Sequence, residues 1–497
     1  MYIGVDIGTT LTKAVGYGDD GAELGVHSVP TELAHGADGR VEQDTDAVVA
    51  SVTSVVRAVA AELPGPPELV ALTGQGDGCW LADADGVPVR PAASWLDGRA
   101  AGIVRRWDRD GTADAVLARN GGMIFPGASA AILAALDRDE PDVLDRAATA
   151  THCVGTVFQR LTGVRAVDVS DASYPFLDPR TRGWSGEVLR LTGLEHRRDL
   201  LPPVVGPGGP AAGLAGPAAG ALGLPAGTTV SAGPYDLLAS ARGSGTVTPG
   251  DGLLIVGTTL ACQVVTSDPG PIPHRAGLLL ATWRPDRWVR AMPAMVGTAS
   301  LDWLLRLVGA PVSALAELLA ESPPGARGVT VLPYWSASGE RAPFVEASAR
   351  GRFDGLHLAT SRADLVRALC EGLAYAARHC FDAAGLTGRL AVCGGGAQSA
   401  AWTQLFADVL GRPLDVVDVP QAGAYGAVLS ALEARGEAPG WPVPAHTVEP
   451  SAAHGAHYDD GFAAYLDRVA AARETWSHAA DGAAGPMARR SDGGSAA

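Results

Sequence analysis

One local pattern occurs twice in this sequence at half-chain spacing: a short apolar run, residues 2–5 and again 253–256, leads into Gly8-Thr9-Thr10 and Gly257-Thr258-Thr259. Each copy reads as a strand ending in a tight turn, and the successive backbone N–H groups of such a turn form a concavity suited to phosphate. The two glycines lie 249 positions apart in 497 residues, which points to two halves built alike, each offering a phosphate turn to a shared cleft. Midway stands Ser231-Ala-Gly-Pro-Tyr235-Asp236, whose carboxylate is expected where the halves meet. A lone Gly-Thr-Thr is ordinary turn chemistry. Two of them around a central carboxylate favour phosphate handling.

In the first half, Asp6 ends the first strand facing its turn, where a carboxylate can hold Mg²⁺ through water beside phosphates; capping of its own turn is the competing reading. Lys13, the only lysine, follows Thr12 rather than Gly, so the chain has no Gly-Lys-Ser/Thr loop. Bound ATP must then rest on backbone turns and Mg²⁺. Residues 45–63 place Val48, Val52, Val55, Val56, Val59 and Leu63 on one helical face. The apolar run 69–73 reads as a buried strand entering Gly74-Gln75-Gly76-Asp77-Gly78, and open α/β sheets bind ligands at strand carboxyl ends. Gln75 offers a donor and an acceptor and Asp77 two acceptors, a set suited to several hydroxyls. Further on, Trp95 is expected to stack on a carbon skeleton while Asp97 and Arg99 bind its edge.

In the second half, the run 389–393 enters Gly394-Gly395-Gly396-Ala-Gln-Ser399 and a helical pattern follows. Strand, glycines and helix give a backbone that adenosine can approach closely. Ser361 and Asp364 form a capping box, and the glycines between 243 and 252 have hinge-like composition.

Together these motifs resemble the FGGY carbohydrate kinases of the actin/hexokinase/Hsp70 superfamily. The resemblance rests on Asp-x-Gly-Thr-Thr from Asp6, Gly-x-x-Asp from Gly233 to Asp236, Gly-Gln from Gly74, Trp95-x-Asp97-x-Arg99, Gly339-Glu340-Arg341-x-Pro343, and Gly394-Gly-Gly-Ala-x-Ser399 with Trp402, Gln404, Ala407 and Asp408. It covers about residues 1–435. It implies an α/β fold of two actin-like (ribonuclease H-like) domains around a central ATP/sugar cleft, divided as 1–245, 246–435 and a partly disordered extension 436–497. It also implies Asp236 as general base and, with Asp6, as a Mg²⁺ site. The sugar would lie among Gln75, Gly76, Asp77, Trp95, Asp97, Arg99, Phe125 and Tyr235. ATP would lie among Asp6, Gly8, Thr9, Thr10, Lys13, Gly257, Thr258, Thr259, Gly297, Gly395, Gly396 and Ser399.

Gly76-Asp77 departs from the Met-His usual in xylulose kinases and the Arg-Glu of glycerol kinases; the wording is most similar to erythritol kinases and next to L-xylulose-type pentulose kinases. The activity implied is transfer of the γ-phosphate of ATP to a small polyol or ketose. A non-catalytic or ATP-switching member of the superfamily, or a sugar sensor, is the alternative. Because an ionised Asp77 only accepts hydrogen bonds, anionic sugars are expected to be poor substrates. A homodimer is common in the family.

The net charge of −16 argues against nucleic acid or an anionic membrane as partner. Six scattered cysteines suggest free thiols in a cytoplasmic protein. His446, His454 and His457 have irregular loop spacing that favours exposed histidines over a metal site. One helix is expected around residues 461–476, with disorder after Ala479.

Overall fold

The computed structural model describes residues 1–483 apart from 37–38, 207–208, 271–275, 337–338 and 420. The doubled pattern becomes two mixed sheets of one design. In the first, β1 (Tyr2–Ile7), β2 (Leu11–Tyr17), β3 (Glu23–Pro30), β4 (Leu69–Gly74), β5 (Ala211–Gly213) and β6 (Thr229–Ala232) lie in the order β5-β6-β4-β1-β2-β3. The second contains β7 (Gly252–Val256), β8 (Leu260–Thr266), β9 (Leu278–Ala281), β10 (Trp288–Pro293), β11 (Leu390–Cys393), β12 (Leu414–Val417) and β13 (Ala445–Val448), in the order β9-β10-β8-β7-β11-β12-β13. Leaving β9 aside, the two orders correspond strand for strand. β1 and β7 each pair antiparallel across their Gly-Thr-Thr turn and parallel with β4 or β11 on the other side. Both turns therefore sit at the carboxyl end of a central strand.

Helix α1 (Thr45–Glu62) starts where the Asp44 carboxylate accepts the N–H groups of Asp46 and Ala47. Its five buried valines pack on Ile3, Val5, Ile7, Val70 and Leu72. The remaining helices that matter are α2 (Cys153–Thr162), α3 (Asp236–Gly243), α4 (Arg362–Ala384), α5 (Ala400–Leu410), α6 (Ala422–Ala434) and α7 (Gly455–Ala483). The expected capping box opens α4, with Ser361 and Asp364 bonding reciprocally.

The halves exchange helices. α6, late in the chain, covers Tyr2, Val15, Tyr17, Leu69 and Ala71 of the first sheet, while α3 buries Ala241 against Leu253, Ala391 and Val417 of the second. The two helices touch backbone to backbone. A Cβ on Gly426 would stand 1.8 Å from the Ala239 carbonyl oxygen, and one on Gly243 2.0 Å from that of Ala422. Only glycine fits there, and the crossing brings the N-termini of both helices to the cleft.

The segment after residue 435 is not an appendage. β13 closes the edge of the second sheet, and α7 buries Tyr458, Phe462, Tyr465, Val469, Ala472 and Trp476 in the second core. That stripe repeats every three or four residues, although Ala, Gly and His dominate the composition around it. Trp441 reaches back to the first half, packing on Tyr2, Tyr17 and Tyr425 and donating its indole N–H to the Asp19 carbonyl at 2.8 Å. The expected disorder after Ala479 falls largely outside the described residues. No single helix among the described residues is long and apolar enough to cross a membrane.

Candidate active site

Between the two turns lies a cavity of about 140 Å³. The first half contributes Thr9, Gln75, Gly76, Asp77, Trp95, Phe125, Tyr235 and Asp236, and the second contributes Thr259, Ala261, Leu278, Pro293 and Arg341. Six of the eight residues expected around the sugar thus share one wall with Asp236. Gly76 is glycine because Tyr235 packs on it: a Cβ there would come within 1.6 Å of the ring.

Asp97 and Arg99 are placed otherwise. The Asp97 carboxylate is buried and accepts the N–H of Val41 at 2.8 Å and the Nε–H of Arg99 at 2.8 Å, while Arg99 continues to Glu42. Neither lines the cavity. They buttress the loop that presents Trp95, because a buried carboxylate beside an arginine satisfies itself before any ligand arrives.

Thr9 also differs from expectation. Its hydroxyl accepts the Trp95 indole N–H at 2.8 Å and donates to Gln75 Oε1 at 3.0 Å; Gln75 Nε2 donates to Gln43 Oε1 at 2.8 Å, and Gln43 Nε2 returns to the Thr9 carbonyl at 3.2 Å. This closed ring ties the first turn to the sugar wall. It leaves backbone N–H groups, not the Thr9 hydroxyl, to face phosphate, and it occupies the Gln75 amide that the sequence suggested for the sugar. The exposed threonine is the second of the first turn, Thr10, and the first of the second turn, Thr258.

Three carboxylates lie close together with few partners. Burial raises Asp6 to about 6, opposed by Lys13 across the β1–β2 pair. Burial raises Asp77 to about 7, with His152 and Arg341 pulling it down and Asp171 pushing it up. Asp236 is held well above the usual carboxylate range by burial and then by Asp6. One oxygen of Asp77 and one of Asp236 are sealed without a hydrogen bond. Buried acceptors left open in this way are demands for a donor or a cation. Asp6 and Asp236, hard oxygen donors within electrostatic reach of each other, suit a divalent ion that keeps much of its water and phosphate coordination. Among the described residues there is no cluster of three or more His, Cys, Asp or Glu able to hold a metal by itself, His446, His454 and His457 included.

Three groups escaped the sequence reading. Ser170 Oγ accepts the Tyr235 N–H at 2.9 Å and Thr73 donates to the Pro234 carbonyl at 2.6 Å, and these bonds set the loop that carries Asp236. His152, at the start of α2, bonds Asp171 at 2.9 Å behind Asp77. Arg341, which the sequence offers only within its Gly-Glu-Arg-x-Pro motif, lines the same cavity as Asp77 and Asp236. The Val-Ser-Asp-Ala-Ser run at 169–173, polar residues amid apolar ones, was the available signal for Ser170 and Asp171. Arg341 also adds a cationic donor to the cavity, which weakens the expectation, drawn from Asp77 alone, that anionic sugars are poor substrates.

At the turn expected to meet the nucleotide the glycines divide. A Cβ on Gly395 would meet nothing within 4 Å, whereas one on Gly396 would strike Val256 at 2.3 Å. Only Gly395 presents open backbone, and Gly396 is small for packing. Gly297 likewise packs against the second turn, where a Cβ would stand 2.6 Å from the Thr258 carbonyl oxygen. Ser399 caps α5 by accepting the Trp402 N–H. Lys13 donates to Gln421. Gln404 and Asp408 anchor the C-terminal segment through Glu449, Ser451 and His454.

Two duplicated lobes, a Gly-Thr-Thr turn on each and a buried carboxylate with an unpartnered oxygen beside the cavity between them make up the site. The N-terminal domain model of the FGGY family of carbohydrate kinases matches residues 1–243 and its C-terminal domain model residues 252–434. The chain belongs to that family, as an ATP-dependent phosphotransferase acting on an alcohol group of a sugar or polyol. It is 33% identical to erythritol kinase of Brucella abortus (strain 2308), over 97% of this chain and 98% of that protein. To xylulose kinase of Escherichia coli (strain K12) it is 30% identical over 84% and 86%. The crystal structure of a xylulose kinase from Rhodospirillum rubrum superposes with a TM-score of 0.86 at 27% identity, covering 96% of this chain and 99% of that one.

Proposed function

We propose that the acceptor is an open-chain polyol or ketose of four or five carbons, erythritol foremost, that Mg²⁺ is the divalent ion, and that Asp236 is the general base. The observation that carries this reading is the small cavity in which the unpartnered Asp236 carboxylate faces the same space as Asp77 and Trp95. Asp77 accepts hydroxyl protons at one end of the carbon chain, and the indole of Trp95 covers its apolar edge. At the other end a hydroxyl donates to Asp236, which takes its proton as the oxygen bonds the γ-phosphorus and the bond to the leaving ADP oxygen breaks. Mg²⁺, held by Asp6 and Asp236, would supply charge neutralisation at the transferred phosphate. The full-length similarity to an erythritol kinase supports a tetritol; the shorter similarity to xylulose kinase supports a ketopentose as the second reading.

The test is ADP formation from ATP and Mg²⁺ with erythritol, pentitols, ketopentoses, glycerol and gluconate. The expected result is the highest kcat/KM with a four- or five-carbon polyol or ketose. Preference for glycerol or for a six-carbon acid would contradict the reading.

A further inference from the structure

We propose that Arg341, delivered by the second lobe, is a substrate-contacting residue of the acceptor pocket and selects the hydroxyl pattern at the end of the sugar remote from Asp236; this rests on the polyol-kinase reading above.

The placement of Arg341 is built rather than incidental. Glu340 is buried and its Oε1 accepts the backbone N–H groups of Met295 at 2.8 Å, Arg341 at 2.8 Å and Ala342 at 3.2 Å, which locks the backbone on both sides of the arginine. Arg341 Nε donates to the Pro293 carbonyl at 2.8 Å, so the root of the guanidinium is fixed to the end of β10. Its carbon lies 5.2 Å from the ring centre of Trp95 and 5.0 Å from that of Phe125, both on the first lobe. Two aromatic faces at that range hold a cation by its charge as well as by contact. The guanidinium is therefore oriented by one carbonyl and two rings before any ligand arrives.

What is left over is donor capacity. The two terminal nitrogens make no hydrogen bond or ion pair among the described residues, and Arg341 lines the cavity together with Asp77 and Asp236. Arg341 is also close enough to Asp77 to oppose the rise of its pKa. A planar fork of donors facing a carboxylate acceptor across a small cavity matches adjacent hydroxyls, or a hydroxyl beside a carbonyl, each oxygen able to accept from the guanidinium while a neighbouring hydroxyl donates to Asp77. Since Trp95 and Phe125 belong to one lobe and Arg341 to the other, the contact also makes the acceptor site complete only when the lobes stand together.

The experiment is a pairing of variants with acceptors in the intact enzyme. Wild type, Arg341→Met and Arg341→Lys are assayed with Mg²⁺ and ATP on the best acceptor and on its deoxy analogues, each lacking one hydroxyl. Methionine keeps the packing between the two rings and removes every donor; lysine keeps the charge and removes the fork. The expected result is a rise of about 10- to 100-fold in acceptor KM for Arg341→Met with ATP KM unchanged, and a much smaller penalty on the one analogue whose missing hydroxyl is the partner of Arg341. Arg341→Lys should fall between the two. Equal losses on every analogue, or a loss shared with ATP KM, would show a structural role and overturn the proposal, as would wild-type kinetics in Arg341→Met. Thermal melting of each variant identifies a folding defect, and in that case the lysine variant decides alone: wild-type discrimination among the analogues would refute the contact. Wild type inactive on every polyol and ketose would instead refute the underlying substrate reading.

Discussion

At Asp77 a single carboxylate carries two consequences. Asp77→Ala removes acceptors from a closed pocket, where hydrogen bonds to a charged group are worth about 1.5–3 kcal/mol each and do not add fully. The loss expected in kcat/KM for the acceptor is about 2–4 kcal/mol, expressed in acceptor KM with ATP KM unaffected, and steady-state kinetics measures it. The second consequence concerns stability. Burial raises the Asp77 carboxyl from 3.8 to about 7. Its folded-state contribution is therefore full below about pH 4 and is lost as pH rises through 7, so at pH 8 the ligand-free fold bears an ionised, half-satisfied carboxylate. Asp77→Asn should raise the melting temperature of the ligand-free protein at pH 8 and leave it unchanged near pH 4. Equal melting temperatures at pH 8 would show that Asp77 titrates normally. The sequence showed that Asp77, Gln75 and Trp95 belong to one site because they lie at strand ends and turns. It could not show that Gln75 is already occupied by Thr9 and Gln43, since that ring joins residues up to 66 positions apart.

Among the elements, α3 and α6 decide the geometry of the cleft. Their crossing depends on Gly243 and Gly426, where the neighbouring atoms are main-chain carbonyls that cannot swing away. Gly426→Val should destabilise the protein by more than about 3 kcal/mol, read as a lower midpoint in chemical denaturation. Gly395→Val is the contrasting case, because a side chain there meets open space. It should leave stability unchanged and weaken ATP binding in calorimetry, with acceptor binding retained. Unchanged ATP affinity would move the nucleotide away from the β11–α5 turn. The sequence suggested a nucleotide role for both Gly395 and Gly396, but glycine in this turn serves two purposes. Gly396 is small to admit Val256, a distinction visible only once β7 and β11 pair.

Across the whole molecule, the duplicated sheets were legible from the repeated turn, whereas the exchange of α3 and α6 and the integration of the C-terminal segment were not. Composition after residue 435 is rich in Ala, Gly, Pro and His, which masks a regular apolar stripe that only matters against the face of α4 and α5. Burying a large apolar side chain is worth roughly 1.5–3 kcal/mol, and α7 buries five residues larger than alanine. A chain ending at Arg435 should be insoluble or should melt well below the intact protein, while one ending at Ala483 should keep full stability and activity. A stable, active chain ending at Arg435 would return the segment to the status of an appendage. The central claim, that Asp236 accepts the acceptor's proton between two phosphate turns, is tested most directly by following labelled γ-phosphate from ATP into erythritol with wild type and Asp236→Asn. The account predicts label in the polyol phosphate and a fall in kcat of roughly 10²–10⁴-fold in the variant with ATP affinity preserved; turnover in Asp236→Asn within a few-fold of wild type would contradict it.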